Sequence, residues 1–247
     1  MASAKSYLLS FVRTMRRTPL HPQWLLPDQS EVIQLVQSAS FGLVLDIGCA
    51  DRWVEKHVRQ DCTYLGLDYL ATGKTLYGSK PDVFADAACL PVKEGSVDSV
   101  ILLDVLEHVS EPDETLAEVH RVLRIGGSLV VSVPFLYPIH DAPYDFQRYT
   151  LFGMRHALER RGFKVEQIKS YSRSAEVVGL FMSLWIAGTV IACWKQKSFM
   201  LLLAPILIAI LPVINTIAWL AANIFPDWKA ISGGVNVVAC KGQGTGP

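Results

Sequence analysis

Phe41-Gly42-Leu43-Val44-Leu45-Asp46-Ile47-Gly48-Cys49-Ala50 reads as a short apolar strand that ends in a turn, and a helix is expected after it, near Arg52 to Arg59. The same grammar repeats downstream. Tyr64 to Tyr69 is a second strand ending in Asp68, Val83-Phe84 a third stopping at Asp86-Ala87, and Val97 to Leu103 a fourth closed by Asp104. Ser110, Pro112 and Asp113 announce a helix to Leu123, which Gly126-Gly127 is expected to stop. Ser128 to Pro134 is a fifth strand, Thr150 caps a helix to Arg161, and Phe163 to Ile168 is a further strand. Short apolar strands alternating with amphipathic helices predict a parallel sheet covered on both faces.

In such a sheet, ligands bind beyond the carboxyl ends of the strands. Asp46, Asp68 and Asp86, together with Asp104 and the following Glu107-His108, fall at those ends. Asp68, 22 residues after Asp46, suits the two hydroxyls of a ribose, since a carboxylate accepts two hydrogen bonds and repels a phosphate. The first turn lacks the GxGxxG spacing that cradles a pyrophosphate, so a nucleoside without a diphosphate is expected and a nicotinamide oxidoreductase is not.

The 23 Lys/Arg of the 247 residues balance the 23 Asp/Glu, so no global field draws the chain to nucleic acid. Five scattered cysteines without a CxxC pair fit buried thiols in a reducing compartment, and neither a metal site nor a disulfide framework is expected. With 51% hydrophobic and 19% charged residues, the chain is more apolar than an ordinary soluble enzyme unless the excess is local.

The strand ends resemble the class I S-adenosylmethionine-dependent methyltransferases, the broad group acting on quinones, sugars, lipids and natural products. Val44 to Ala50 is similar to motif I, Gly66 to Tyr69 to the ribose-binding strand end, and Phe84 to Pro91 to the adenine-binding stretch. Ser99 to Val109, and Leu116 to Val133, are similar to the family's fourth strand and to its following helix and fifth strand. The resemblance covers residues 41–171 and resumes at 233–242. It implies a Rossmann-like α/β fold: a seven-stranded, mostly parallel sheet with an antiparallel last strand, Gly234 to Lys241, at the sheet edge beside Phe163 to Ile168. It also implies S-adenosyl-L-methionine as cofactor, contacted from Asp46, Gly48, Cys49 and Ala50, from Asp68 and Tyr69, from Asp86 and Ala87, and from Asp104. The family usually has glycine where this chain has Ala50, and often where it has Arg52; alanine fits at negative φ, whereas positive φ costs on the order of 1 kcal/mol.

After the fifth strand, residues 133–150 carry His140, Asp141, Asp145, Gln147 and Arg148 among aromatics, a substrate-facing composition. The segment resembles a His-Asp-x-Pro-x-Asp-x-x-Arg-Tyr-Thr pattern of polysaccharide- and glycolipid-cluster methyltransferases, with Gln147 in a commonly aromatic slot. A hydroxyl acceptor gains from a base. His140 is the first candidate, with Asp141 or Asp145 orienting it or serving instead, and His108 either packs over cofactor and substrate or is structural. Arg148 either neutralises an anionic acceptor or pairs with Asp145 or Glu159.

The apolar excess lies in Val177 to Trp194 and Phe199 to Ala222, uncharged runs of 18 and 24 residues separated by Lys195 and Lys197. As helices they would be about 27 and 36 Å long, bracketing a bilayer's ~30 Å hydrocarbon core. Placed before the last strand, the insertion must begin and end on one side, so it crosses a membrane twice or lies in one leaflet; the alternative is a buried helical cap or dimer interface in a soluble enzyme. Trp185, Trp194, Trp219 and Trp228 suit interfacial anchoring. The first 27 residues carry Lys5, Arg13, Arg16 and Arg17 without an acid and are read either as a basic amphipathic arm on an anionic membrane surface or as a loosely ordered terminus packing beside the domain, and not as a secretory leader.

Three regions are therefore expected: a basic arm and first helix (1–40), a methyltransferase domain (41–171 and 230–242), and an apolar, membrane-associating helical insertion (172–229). The expected activity is methyl transfer, at oxygen first, to a hydrophobic or lipid-linked small-molecule acceptor, with membrane lipid as a partner and the catalytic domain on the cytoplasmic side. The alternative is a non-catalytic membrane-bound scaffold that keeps the fold. No oligomeric state is read from the sequence.

Overall fold

The computed structural model describes residues 15–16, 18–74 and 78–242; the expected arm over residues 1–14, and Arg17, lie outside them. The chain divides into two compact units, one from Asp28–Tyr171 and the strand opening at Gly234, the other from the residues up to Pro27 and Ser172–Gly233.

The first unit is a seven-stranded sheet in the order β3-β2-β1-β4-β5-β7-β6. Its strands are β1 (Leu43–Ile47), β2 (Thr63–Asp68), β3 (Val83–Phe84), β4 (Val97–Leu103), β5 (Leu123–Pro134), β6 (Phe163–Tyr171) and β7 (Gly234–Lys241). β1 to β5 pair in parallel, and β7 runs antiparallel to both β5 and β6. Side chains alternate between two cores, as the period of a strand requires. Leu45, Ile47, Leu67, Leu102, Leu129 and Val131 pack on one face with residues of α2 (Pro112–Val122) and α3 (Leu151–Arg160). Val44, Ile101, Val130 and Val238 pack on the other, with Leu35 and Val36 of α1 (Ser30–Ala39). The Thr150 side chain caps α3 by accepting from the Gly153 N–H at 3.0 Å.

Four details differ from the sequence expectation. The helix near Arg52 to Arg59 is a single 3-10 turn, Glu55–His57, because Ala50 and Arg52 adopt φ of 46° and 60° and Val58 is already extended. Ser110 caps nothing: α2 follows Glu111 without a side-chain cap. Gly126-Gly127 does not stop that helix, since Leu123 is extended and pairs with Val97, so β5 starts before the glycines and runs through them. Finally, β7 is not at the sheet edge; it is inserted between β5 and β6, and β6 is the edge strand, running on to Tyr171.

Strand order reverses between β1 and β4, which opens a crevice beyond their carboxyl ends. Tyr171 pairs with Gly234, and Gly234 with Pro134, at that same edge. Residues 172–233 lie in sequence between β6 and β7.

The second unit contains α4 (Ser174–Lys195), a 3-10 segment (Phe199–Leu203) and α5 (Ala204–Ile224). The helices are antiparallel: the Arg173 guanidinium donates to the Ala222 carbonyl at 2.5 Å, and the Ser183 hydroxyl donates to Asn215 at 2.8 Å. Gly179 permits close approach, as a Cβ there would lie 2.4 Å from the Ala218 Cβ. Asn215, fully buried, donates to the Pro19 and His21 carbonyls, which fastens the segment before Pro27 to the hairpin. Polar groups lie inside while Trp185, Trp194, Ile206 and Ile217 are exposed, and both helices have the length and composition to cross a membrane.

Candidate active site

The first half of the crevice is built from backbone. Beyond β1 the chain turns at Gly48, whose φ is 76° and where a Cβ would lie 2.4 Å from the Val105 side chain, so glycine alone fits. The Gly48 and Cys49 N–H groups donate to the Leu67 carbonyl at 2.8 and 3.0 Å. The Ala50 N–H donates to one oxygen of Asp68 at 3.1 Å, and the Tyr69 N–H donates to the other at 2.8 Å. Asp68 thus locks the turn from the end of β2 and keeps lone pairs on both oxygens for further donors.

Ala50 and Arg52 adopt the positive φ that a glycine would accept without strain, at about 1 kcal/mol each. Arg52 is braced: its guanidinium pairs with Glu55 through two nitrogens and with Asp82 at 2.9 Å, and lies 4.9 Å from the centre of the Tyr64 ring. Asp82 also accepts from the Gly66 N–H, and this bond, with Arg52, holds its carboxyl below the usual carboxylate range.

Asp46 is buried within β1, where it accepts a hydrogen bond from the Tyr64 hydroxyl. Burial outweighs that bond and pushes its carboxyl up to about 7. Cys49 is buried, with its thiol pushed up to about 12, first by burial and then by Asp46. Asp86 is exposed; one oxygen accepts from the Ala88 N–H at 2.9 Å, and Ala87 beside it is buried. Tyr69, after Asp68, is 46% exposed.

Two residues before Leu106, Asp104 closes β4 with φ 52° and accepts from the Ser132 hydroxyl at 3.1 Å. Solvent reaches it, yet protein surrounds it closely enough that desolvation raises its carboxyl above the usual range.

The second half is built from side chains. Leu106–His108 form a 3-10 turn, and the loop after β5 is pinned onto it. The Phe146 N–H donates to the Glu107 carbonyl at 2.8 Å, and the Gln147 side-chain amide donates to the Leu106 and Val109 carbonyls. Gln147, in a slot where the pattern more often has an aromatic, therefore acts as a clamp. Arg148 grips the nearly buried Asp145 through both terminal nitrogens and reaches the Gln147, Tyr137 and Pro138 carbonyls. That pairing holds the Asp145 carboxyl well below the usual range. Asp145 accepts in turn from the His140 N–H at 2.9 Å.

His108 Nδ1 lies 2.7 Å from the Tyr144 carbonyl, which can only accept, so Nδ1 carries hydrogen and Nε2 is the basic nitrogen. Nε2 is 3.7 Å from a Glu107 oxygen and 3.9 Å from an Asp141 oxygen. The His140 ring stands edge-on to His108, with centroids 4.7 Å apart. Glu107 is completely buried, and neither carboxylate oxygen has a hydrogen-bond partner among the described residues. Burial, then Asp104, raises its carboxyl well above the usual range.

The structure brings His108, His140 and Asp141 together, turns Asp145 and Arg148 into a loop tether, and directs Asp46 toward Tyr64. Glu107, placed by sequence beside His108 but assigned no role, lies at the heart of the cluster. An acid within an apolar Val-Leu-Glu-His stretch was the only signal that could have found it.

The donor set fits S-adenosylmethionine, the cofactor that the sequence resemblance implies. Asp68 has lone pairs for two ribose hydroxyls, one oxygen of Asp86 has no donor among the described residues and can take an exocyclic amine, and exposed Tyr69 offers an aromatic face.

Comparison with known proteins agrees. Residues 45–131 match the family described as "Methyltransferase domain". A probable S-adenosylmethionine-dependent methyltransferase of Mycolicibacterium smegmatis is 29% identical over 134 residues, 50% of this chain and 52% of that protein. The chain thus spans about half of that curated relative, and 14% of another, a 37.1 kDa protein of a Streptomyces fradiae transposon. Among solved structures, a putative methyltransferase of Haloferax volcanii, in complex with the Trm112 methyltransferase activator, is similar at a TM-score of 0.54 and 15% identity, covering 98% of this chain and 97% of that one. The [4+2]-cyclase SpnF is similar at a TM-score of 0.53 and 17% identity, covering 87% of this chain and 80% of that one. Both likenesses are of fold.

Proposed function

We infer that this chain, which carries a class I S-adenosylmethionine-dependent methyltransferase domain, is an enzyme that methylates a hydrophobic or lipid-linked acceptor, at oxygen, from the cytoplasmic face of a membrane. One observation carries the reading: the Gly48 turn locked by Asp68 meets Val105, which leads directly into the Glu107–His108 cluster. A nucleoside-binding half and a proton-accepting half thus flank one switch-point crevice.

The cofactor supplies an electrophilic methyl group on a sulfonium. Asp68 holds the ribose, and Asp86 with Ala87 meets the adenine, while Gly48, Cys49 and Ala50 supply backbone against the methionine end. Asp104, His108, His140 and Asp141 face the acceptor, and His108 Nε2 has the lone pair to take a hydroxyl proton. The pinned loop keeps these groups in place, which favours in-line approach of the acceptor oxygen.

The acceptor class follows from the insertion. Its helices expose bulky apolar side chains and bury their polar ones, the reverse of a water-soluble hairpin. The hairpin places Lys195 and Lys197 at its tip, where they reach headgroups of the far leaflet or snorkel within one. The scaffold alternative drew on Ala50 and Arg52, and both departures are accommodated within the turn.

The test is transfer of labelled methyl from S-adenosylmethionine to membranes supplied with the purified protein. Organic-extractable label that is absent with Asp68→Ala supports the reading; label confined to water-soluble acceptors contradicts the acceptor class. Carbonate washing should leave the protein in the membrane pellet, and complete release would rule out an embedded hairpin.

A further inference from the structure

Glu107 poses a question that methyl transfer alone leaves open. Its carboxyl is fully buried, and among the described residues no hydrogen-bond donor reaches either oxygen. Buried carboxylates are paired, hydrogen-bonded or bound to a cation. Around it are groups suited to the last of these. Glu107, His108 and His140 each offer a ligand atom, all within 4.8 Å of one another, and an Asp141 oxygen lies 3.9 Å from His108 Nε2.

We propose that Glu107, His108 and His140, with Asp141 beside them, bind a divalent cation of the zinc, manganese or ferrous class, which holds the acceptor oxygen during transfer. Two imidazoles and a carboxylate are a borderline nitrogen–oxygen set that suits these ions better than magnesium or calcium.

The geometry supports the assignment in three ways. Metal–ligand bonds of about 2.1 Å in a tetrahedral site set ligand atoms roughly 3.4 Å apart. The observed 3.7 Å and 3.9 Å around His108 Nε2 are therefore already close, and small side-chain rotations would complete the site. His108 is oriented as metal-bound histidines are, with Nδ1–H donating to the Tyr144 carbonyl and Nε2 facing the carboxylates. His140 is held by its Nδ1, 3.2 Å from the Pro138 carbonyl and 3.5 Å from the Arg148 guanidinium, and by its backbone N–H on Asp145. On binding, Glu107 would give up its proton, and its carboxylate with that of Asp141 would balance a dication. The loop tethers through Phe146, Gln147 and Arg148 hold the two ligand-bearing segments together, which preorganises the site.

The role in transfer rests on the methyltransferase reading; the binding of the ion does not. In that role His108 Nε2 is a ligand in place of a base, and the acceptor hydroxyl, more acidic beside the cation, loses its proton to solvent. Its oxygen then forms a bond to the methyl carbon as the sulfonium carbon–sulfur bond breaks, with that electron pair returning to sulfur.

The test uses the full chain in detergent, stripped of metal with a chelator and titrated with Co2+ as a spectroscopic stand-in for zinc. S-adenosylhomocysteine binding is measured on the same preparation. Visible ligand-field absorption saturating at roughly one equivalent is expected, weakened at least about 100-fold in Glu107→Gln and in His108→Asn, with S-adenosylhomocysteine affinity unchanged in both. Wild-type protein that binds S-adenosylhomocysteine but gives no Co2+ spectrum overturns the site and leaves the methyltransferase reading intact. A Co2+ spectrum without S-adenosylhomocysteine binding does the opposite. Equal Co2+ affinity in wild type and both variants also overturns the site, and should a variant fail to fold, the wild-type titration decides alone.

Discussion

On the β1–β2 side of the crevice, backbone N–H groups and one carboxylate shape the site, and little depends on side-chain packing: Gly48, Cys49 and Ala50 donate to Leu67 and Asp68. On the β4–β5 side, side chains clamp carbonyls: Gln147 holds Leu106 and Val109, Arg148 holds Asp145 and the Tyr137–Pro138 stretch, and His108 holds Tyr144. The first half suits a ligand whose shape never varies. The second suits a pocket whose rigid frame carries interchangeable walls. The two should respond differently to substitution, and four measurements probe that difference.

Arg148→Ala should have the largest effect on stability. It leaves Asp145, whose side chain is 2% exposed, without its cation, and breaking such a pair costs about 3–5 kcal/mol. Urea unfolding should report this, with S-adenosylhomocysteine affinity of the remaining folded protein within about twofold. A change under ~0.5 kcal/mol would mean that the acceptor loop is not held as described.

Asp46→Asn tests the buried acid on the cofactor side. The folded carboxyl is raised from 3.8 to about 7, so its contribution to stability is fully present below pH 4 and is lost as pH rises through about 7. On the order of 2–4 kcal/mol of pH dependence should therefore disappear in the asparagine variant. Denaturant midpoints at acidic and mildly alkaline pH that shift equally in wild type and variant would show that Asp46 does not titrate in this window.

The smallest effect is expected for Ala50→Gly. Relieving the 46° φ, worth about 1 kcal/mol, should leave a net gain of at most about 0.6 kcal/mol after the greater freedom of glycine in the unfolded chain is counted. Calorimetry would show a slightly raised Tm, whereas a lowered Tm would mean that the turn prefers alanine for its contacts.

The same contrast explains what was legible in the sequence. The strands of the sheet announce themselves because buried parallel strands are short apolar runs bounded by turns, and Thr150 announces α3 because a cap is a local device. The place of β7 between β5 and β6 is not written in any local pattern, since strand order depends on pairings between distant residues. The missing helix after Arg52 has a local cause, two positive φ values, that helix-compatible residues conceal. On the cofactor side, Asp68 and Gly48 could be found because their roles are fixed by backbone geometry. On the acceptor side, His140 and Asp145 could be named but not sorted, because the pairing of Asp145 with Arg148 and the isolation of Glu107 arise only when loop and turn dock.

The central claim, that the crevice is an S-adenosylmethionine site organised by Asp68, is tested most directly by calorimetric titration of S-adenosylhomocysteine into detergent-purified wild type and Asp68→Ala, with circular dichroism verifying that both are folded. Losing two charge-assisted bonds to the ribose hydroxyls predicts wild-type binding weakened at least about 100-fold in the variant. Equal affinity in the two folded proteins, or no binding by wild type, would contradict it.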